Sequence, residues 1–408
     1  MKPKIITDYR IPIYIYATNP EEEAMQQAIN LANLSVTFDH IANMPDMHKG
    51  YGMPIGGVCA CKDAIIPYGV GNDGGCGMHF ILTNLYLKDV DQRILISIRN
   101  KIKQKIPVGY KHHSKPQEWE GFNRAPDIPI IQRELESAKR QLGTLGSGNH
   151  FIEIQRLLPE DRIAIMIHSG SRNFGYKICQ EYHTIALRVC QERMRDTDLA
   201  YLRPDKPQGQ EYITAMNYAL EFARANRYYM MSEVMEAIKH EFHNVKFSLE
   251  LDVHHNYASL ENHFGEDVWV HRKGATSAML GQYGIIPGDQ GSSSYIVMGK
   301  GNPDSFSSCS HGAGRCKGRN QASRDLNVEE ETKKMEGIIY EGWGRNKKGL
   351  TDLGEAPGAY KDIGEVMNNQ EDLVDTLFEL KPVVNVKAIE RWKNKKQLEE
   401  NDYTQVKV

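Results

Sequence analysis

A chain of 408 residues holds either one large domain or two to three average ones, and it buries a sizeable core without needing staples. A hydrophobic share of 40% with 25% charged residues is ordinary for a globular protein, and no apolar run approaches the ~20 residues that would span a bilayer, so no membrane segment is expected. The formal net charge of -3 excludes a wholesale nucleic-acid coat but leaves room for a local basic patch.

The N-terminal stretch breaks its short apolar run with Pro12 and lacks a small-residue cleavage pattern, so it does not read as a signal peptide, and a cytoplasmic protein is expected. Asn19 as N-cap, Pro20 in the first turn and the acidic run that follows predict a helix over residues 20–34. Val90, Ile94, Ile98, Ile102 and Ile106 recur at every fourth position, an apolar stripe that Pro107 ends. Further helices are predicted over 176–195 and 212–242, where Tyr and Met at helical spacing read as packing residues. Strand signals interleave with these in IAIMIH, VWVH, SYIVMG and FSLELDVHH. In the last of them Phe247, Leu249, Leu251 and Val253 alternate with polar residues, and His255 falls in phase with them, so its imidazole is expected to point inward. No repeat or low-complexity linker divides the chain. The loops over 110–129 and 203–209 read as excursions from one domain. Seven cysteines, an odd count without C-x-x-C spacing, read as reduced thiols.

Glycines gather around a few His, Cys and Asp residues in GVGNDGGCGMH, LGTLGSGNHFIE, HSGSRNFG and SHGAGR. Glycine costs backbone entropy and is retained where the chain takes positive φ or something approaches closely. Ordinary turns explain any one of these loops, whereas four of them flanking potential ligands point to a site. Asp73 and Cys76 stand three apart in one such loop; alone, that spacing is weak, and a free Cys is more often a small buried hydrophobe. His150 opens the strand HFIEI, His168 ends IAIMIH, and His255 ends the alternating strand. If they meet, these residues provide three imidazoles, a thiol and a carboxylate, enough for a two-metal site. His311, among small residues with Arg315 close behind, suits either a turn or a nucleophile toward phosphorus, since a neutral imidazole is competent near pH 7. Asp46 and His48 read as partners of a ligand or as a turn, and His254 lies out of phase with its strand's apolar face. His112 and His113 lie in a basic loop without an evident partner. Two basic segments could meet phosphate: one runs from Lys101 to Lys115, the other carries Arg315, Lys317, Arg319 and Arg324. A solvated face is the simpler reading of the first.

In this order, MPDMHKGYG, GNDGGCGM, LGTLGSGNHFIE, HSGSR, HHN, RKGA, GQYGIIPG, SHGAGR, AYKD and VVNVK resemble the RtcB family of GTP-dependent RNA ligases. The resemblance covers most of the chain and implies an α+β fold: one catalytic domain over residues 1–387 with a mixed β-sheet core bearing the metal site, surrounded by helices. A polar tail over 388–408 extends past the family's usual end. The resemblance places two manganese ions on Asp73, Cys76, His150, His168 and His255, with Cys76 bridging them, and the nucleophile on His311. Guanine-nucleotide contacts fall on Asn149, Phe151, Glu153, Asn256, Pro287, Gly288, Ser294, Gly312, Ala313, Gly314, Tyr360 and Lys387. The implied activity joins an RNA 3′-phosphate or 2′,3′-cyclic phosphate to a 5′-hydroxyl through GMP-histidine, in RNA repair or tRNA splicing. The partner is therefore RNA; a monomer is expected, with an accessory activator conceivable.

The chain departs from the family pattern at several points. Asn72 and Gly74 flank the metal-binding Asp, which predicts a looser loop, and Asn173 stands where glycine is usual. Asp289, in PGDQG, replaces a small hydroxyl residue, and a carboxylate there would repel a triphosphate unless a cation intervened. Two other classes compete with a ligase: a metal-dependent phosphodiesterase or phosphatase that has no need of His311, and a non-catalytic RNA-binding paralogue.

Overall fold

The computed structural model describes residues 2–192, 196–346 and 348–389. Most of the expected tail lies outside the described residues. Two large sheets dominate an α+β domain. The first has seven strands in the order Tyr283–Ile286, Ser294–Gly299, Val374–Val386, Phe151–Leu158, Arg162–Ser169, Gly77–Tyr86 and Phe247–His254, all neighbours antiparallel. The second orders Lys4–Ile6, Ile13–Ile15, Thr37–Tyr51, Met53–Cys61, Glu266–Lys273 and Asn256–His263, and contains one parallel pair.

The first sheet is covered on both faces, which explains why its central strands read as nearly continuous apolar runs. Ile163, Ile165 and Ile167 pack with Ile152, Ile154 and the helical Ile98, Ile102, Met230 and Val234. The alternate residues Ala164 and Met166 pack on the other side with Met78, Phe80, Ile285 and Ile296. The predicted stripe forms the helix Gln92–Lys105, with Val90 and Ile106 buried just beyond its ends. Lys101 and Lys103 on its outer side pair with Glu241 and Glu341, as a solvated face would.

The other helices agree in place and differ at their ends. The first begins at Glu22 and runs to Ala32; Asn19 does not cap it, and Glu21 occupies the N-cap position without a side-chain bond. The second runs Arg172–Val189, and residues 193–195, which the prediction included, lie outside the described residues. The third starts earlier, at Pro207 in its first turn, and continues to Glu241 for 35 residues. Residues 207–209 fall in the stretch expected as a loop, but the helix begins at Pro207, where a missing N–H costs nothing.

The two sheets share a seam that builds the site. Phe247–His254 belongs to the first sheet and Asn256–His263 to the second, so the chain crosses between them at His255. The backbone N–H of His255 donates to the Cys76 carbonyl at 2.9 Å, which fixes the crossing against the Gly-rich loop.

Candidate active site

Register brings the candidate ligands together before any side chain is considered. Phe151 pairs with His168, Met78 pairs with His168 from the other side, and Gly77 lies opposite both Ser169 and His254. Residues 76, 150, 168 and 255 therefore sit at one rim of adjacent strands, although they are distant in sequence.

At that rim the Cys76 Sγ lies 3.4 Å from His150 Nε2 and 3.3 Å from His168 Nε2. His168 Nε2 faces His255 Nε2 at 3.2 Å, and Asp73 Oδ2 reaches His150 Nε2 at 3.0 Å. The donor atoms form two groups, Asp73 with Cys76 and His150, and Cys76 with His168 and His255, each within 4.8 Å. Cys76 is common to both. His150 Nδ1 donates to the Leu145 carbonyl at 2.9 Å and His168 Nδ1 to the Asn149 carbonyl at 3.2 Å. These bonds set the tautomers and leave both Nε2 lone pairs facing inward, as metal-ligating imidazoles require.

The electrostatics fit the same role. Burial, reinforced by neighbouring imidazoles, pushes His168 and His255 well below the usual histidine range and keeps them neutral. Burial also pushes the Cys76 thiol well up, aided by the Asp73 carboxylate, so a thiolate here calls for a cation. Burial alone would raise Asp73, but the His150 ring beside it and the Arg172 guanidinium hold its carboxyl below the usual range. Bare nitrogens, a shared sulfur and a charged carboxylate at these separations suit a pair of divalent ions.

The loop around Asp73 is tied down despite its departures from the family pattern. Asp73 Oδ1 accepts the Ser171 N–H at 3.0 Å, and Asn72 Oδ1 accepts Gln180 Nε2 at 3.1 Å. The Asn173 N–H donates to Gln141 Oε1 at 2.9 Å. Gly170 has no room for a side chain: a Cβ there would lie 2.3 Å from Asp73 Oδ1.

Two residues of the helix Pro207–Glu241 brace these loops, and sequence reasoning missed both. Arg227, fully buried, binds Asp252 through Nε and Nη2 at 2.8 Å each and donates from Nη1 to the carbonyls of Gly75 (2.8 Å) and Ser169 (3.0 Å). Asn226 bonds Thr144 through both its N–H and its carbonyl, and also the Gly170 carbonyl. Both were hidden in a helix read as plain packing; a charged side chain on its buried stripe was the available signal. His254 serves the same brace, with Nδ1 3.1 Å from Arg227 Nη2.

His311 follows the strand Ser308–Ser310, and its ring lies 4.8 Å from that of His255, edge to face. Its Nδ1 donates to Asp46 Oδ2 at 2.6 Å. That bond leaves Nε2 with its lone pair. Of the two readings of Asp46, the partner role holds. Burial would raise its carboxyl, but the charge and hydrogen bond of His311, with His48 and Lys361, outweigh burial and hold it down. Gly314 lets the backbone of Asp46 approach: it has φ +71°, and a Cβ would meet the Asp46 carbonyl at 2.2 Å.

On one side of His311 opens a pocket lined by Asn149, Phe151, Pro287, Gly288, Gly312, Ala313, Gly314, Tyr360 and Lys387, all predicted, together with Asp289, Arg315, Arg319 and Glu355. Three of the predicted nucleotide residues lie elsewhere. Glu153 is buried beneath, held by Gln155 and Asn385 at 2.7 Å each, and Ser294 Oγ accepts from Gln155 at 3.2 Å. Asn256 lines a second cleft and braces Gly274 and the Asp73 carbonyl.

Asp289 lines the pocket, yet its carboxylate turns into its own loop, accepting the Gly291 N–H and the Ser292 hydroxyl at 2.8 Å each. Burial raises its pKa, and the two hydrogen bonds hold the carboxylate oxygens within the loop. Glu355, which sequence reasoning did not single out, accepts Arg319 Nε at 2.6 Å and Arg315 Nη1 at 3.1 Å, bonds the Tyr360 hydroxyl, and sits 3.7 Å from Lys387 Nζ. It gathers Arg315 and Arg319 of the second basic segment around the pocket, whereas Arg324 remains exposed.

Comparison with known proteins agrees with this geometry. The family model described as tRNA-splicing ligase RtcB matches residues 27–125 and 114–388. The chain belongs to the RtcB family. It is 37% identical to the RNA-splicing ligase RtcB of Escherichia coli K12, over 95% of this chain and 100% of that protein. It is 34% identical to the tRNA-splicing ligase RtcB of Pyrobaculum aerophilum, over 88% and 90% of the two chains. The tRNA-splicing ligase RtcB of Thermococcus kodakarensis is 29% identical, over 90% and 92%. The RtcB match covers the whole seven-stranded sheet and every strand that reaches the ligand rim, leaving out only Lys4–Ile6 and Ile13–Ile15 of the second sheet. No helix among the described residues is long and apolar enough to cross a membrane.

Proposed function

We propose that this RtcB-family chain is an RNA ligase that joins a 3′-phosphate or 2′,3′-cyclic phosphate end to a 5′-hydroxyl end, using GTP and two manganese ions. The observation that carries the reading is the position of His311, between a two-cation ligand cluster and a pocket bordered by cations, with Nδ1 fixed on Asp46. The printed names of its relatives, RNA-splicing and tRNA-splicing ligases, support the same reading.

The residues divide the work as follows. His311 Nε2 attacks the α-phosphorus of GTP; a P–N bond forms as the bond to the β-phosphate oxygen breaks, and pyrophosphate leaves. Asp46 stabilises the positive charge that develops on the ring. An oxygen of the RNA 3′-phosphate then takes the guanylyl group from His311, and a 5′-hydroxyl displaces GMP from the activated end. Phe151, Pro287 and Tyr360 shape the pocket around the nucleotide, while Arg315, Arg319 and Lys387 face its phosphates. Asp73, Cys76, His150, His168 and His255 would hold the metal ions, which would supply positive charge to the phosphate oxygens. Thiolate and imidazole ordinarily favour zinc over manganese, so zinc is expected to bind well and to inhibit.

Incubation with α-labelled GTP and manganese tests the reading. An acid-labile guanylyl adduct that disappears in His311→Ala supports the ligase. Processing of RNA ends without any adduct would point to a phosphodiesterase or phosphatase instead, and RNA binding with neither would point to a paralogue without catalysis.

A further inference from the structure

His311 borders two openings. Besides the nucleotide pocket, a wider cleft reaches the cluster directly, with Asp73, Cys76 and His255 in its inner wall and Tyr51 and Tyr68 at its outer edge. Tyr51 ends the long strand Thr37–Tyr51, and its side chain stays 63% exposed. Tyr68, in the short turn Pro67–Val70, stacks on His183 with ring centroids 3.8 Å apart and planes 12° apart. Tyr51 leans over Tyr68 at 6.3 Å and 47°. The three rings step from the helix Arg172–Val189 out to the lip of the cleft.

One buried ammonium holds this arrangement in place. Lys273 Nζ donates to the carbonyls of Tyr51 and Tyr68, at 2.5 and 2.9 Å, and so locks the two tyrosine backbones to each other. Lys273 ends the strand Glu266–Lys273, where it pairs with Asn256, the residue next to His255. The aromatic lip is thus tied to the same strand ends that carry the ligand cluster. Fixed aromatic faces beside a cationic groove suit unpaired nucleobases, because every base offers a π-face for stacking while phosphates track the charge. Charge along the cleft is compatible with a phosphate backbone: Lys317 lines it beside Arg315 and Arg319, which Glu355 pairs, and of the acidic residues at its mouth Glu23 is paired with Lys49 and Glu21 accepts the Lys49 N–H.

Resting on the RNA-ligase reading, we propose that Tyr51 and Tyr68 form a stacking platform for a base of the single-stranded RNA end whose terminus lies at the ligand cluster. Lys273 is a positioning residue of that platform. The occupant is single-stranded RNA, and recognition is by stacking, without preference for one base.

Equilibrium binding of a labelled single-stranded oligoribonucleotide with a 3′-phosphate, at fixed ionic strength, tests the proposal in the full-length protein. Tyr51→Ala is expected to weaken binding roughly ten- to a hundredfold, in line with loss of one base–aromatic stack, and Tyr51→Phe to retain affinity. An abasic scan of the last nucleotides is expected to find one position at which the unaltered protein loses the same factor and Tyr51→Ala loses nothing more. Unchanged affinity in Tyr51→Ala, equal loss in Tyr51→Phe, or a loss indifferent to every abasic position overturns the platform. Thermal melting of each variant checks that the exposed substitution leaves the fold intact. Guanylylation of the unaltered protein is scored separately, so a missing adduct counts against the ligase reading while the binding comparison still decides the platform.

Discussion

His311 is held to Asp46 twice: its ring Nδ1 donates to the Asp46 carboxylate at 2.6 Å, and its own backbone N–H donates to the same oxygen at 3.2 Å. One buried carboxylate therefore sets the tautomer, the ring orientation and the local backbone. Asp46→Asn removes the charge that stabilises a developing imidazolium while nearly preserving shape. The rate of guanylyl-adduct formation in a single turnover is expected to fall by on the order of a hundredfold or more. An adduct rate within a few-fold of the unaltered protein would show that Asp46 only packs.

The shared position of Cys76 makes metal content separable by residue. His150→Ala and His255→Ala each remove a ligand from one group and are expected to leave about one ion per chain after dialysis, whereas Cys76→Ala depletes both sites. Metal analysis of the three variants decides it. Equal depletion in all of them would mean that the ligands form one indivisible site.

Arg227 joins Asp252 to the carbonyls of Gly75 and Ser169. Arg227→Met leaves the Asp252 carboxylate, only 11% exposed, without its ion-pair partner, so unfolding in urea is expected to show a loss of about 3 kcal/mol. Adding Asp252→Leu should recover most of that stability. Metal affinity is expected to stay about 10- to 100-fold weaker in both variants, because neither restores the brace on the ligand loops.

Burial raises the Glu153 carboxyl to about 7, against the opposing hydrogen bonds of Gln155 and Asn385. Its folded value lies above the unfolded one of 4.5. The native state therefore holds the proton more tightly, and the stability this contributes is present below pH 4.5 and is lost as pH rises toward 7. Glu153→Gln cannot ionise. Its stability relative to the unaltered protein should rise by up to about 3 kcal/mol between pH 4.5 and 7.5, as measured by denaturant unfolding. A pH-independent difference would place Glu153 in a wetter setting.

Sequence alone marked out the candidate chemistry of this protein. Glycine-rich loops around Asp73, Cys76, His150, His168 and His311, with the resemblance carried by ordered motifs along most of the chain, singled out candidate ligands and a candidate nucleophile, because donor atoms and tight loops are properties of individual residues and their immediate neighbours. Periodicity likewise located the stripe that ends near Ile106 and the inward phase of His255, since both are local patterns. Helix ends were less legible: Pro207 opens its helix inside a stretch that composition alone marks as loop.

Only the tertiary structure decided which residues meet. The two-group geometry around Cys76, the Asp46 partner of His311, the Arg227 brace and the gathering of Arg315 and Arg319 by Glu355 all depend on strand register and on two sheets meeting at His255. It also turned the Asp289 carboxylate into its own loop and placed Glu153 and Ser294 beneath the pocket rather than in its lining. These are contacts between residues tens to hundreds of positions apart. They are created by burial and by the need to satisfy every polar group at the seam, and no local pattern in the chain encodes them.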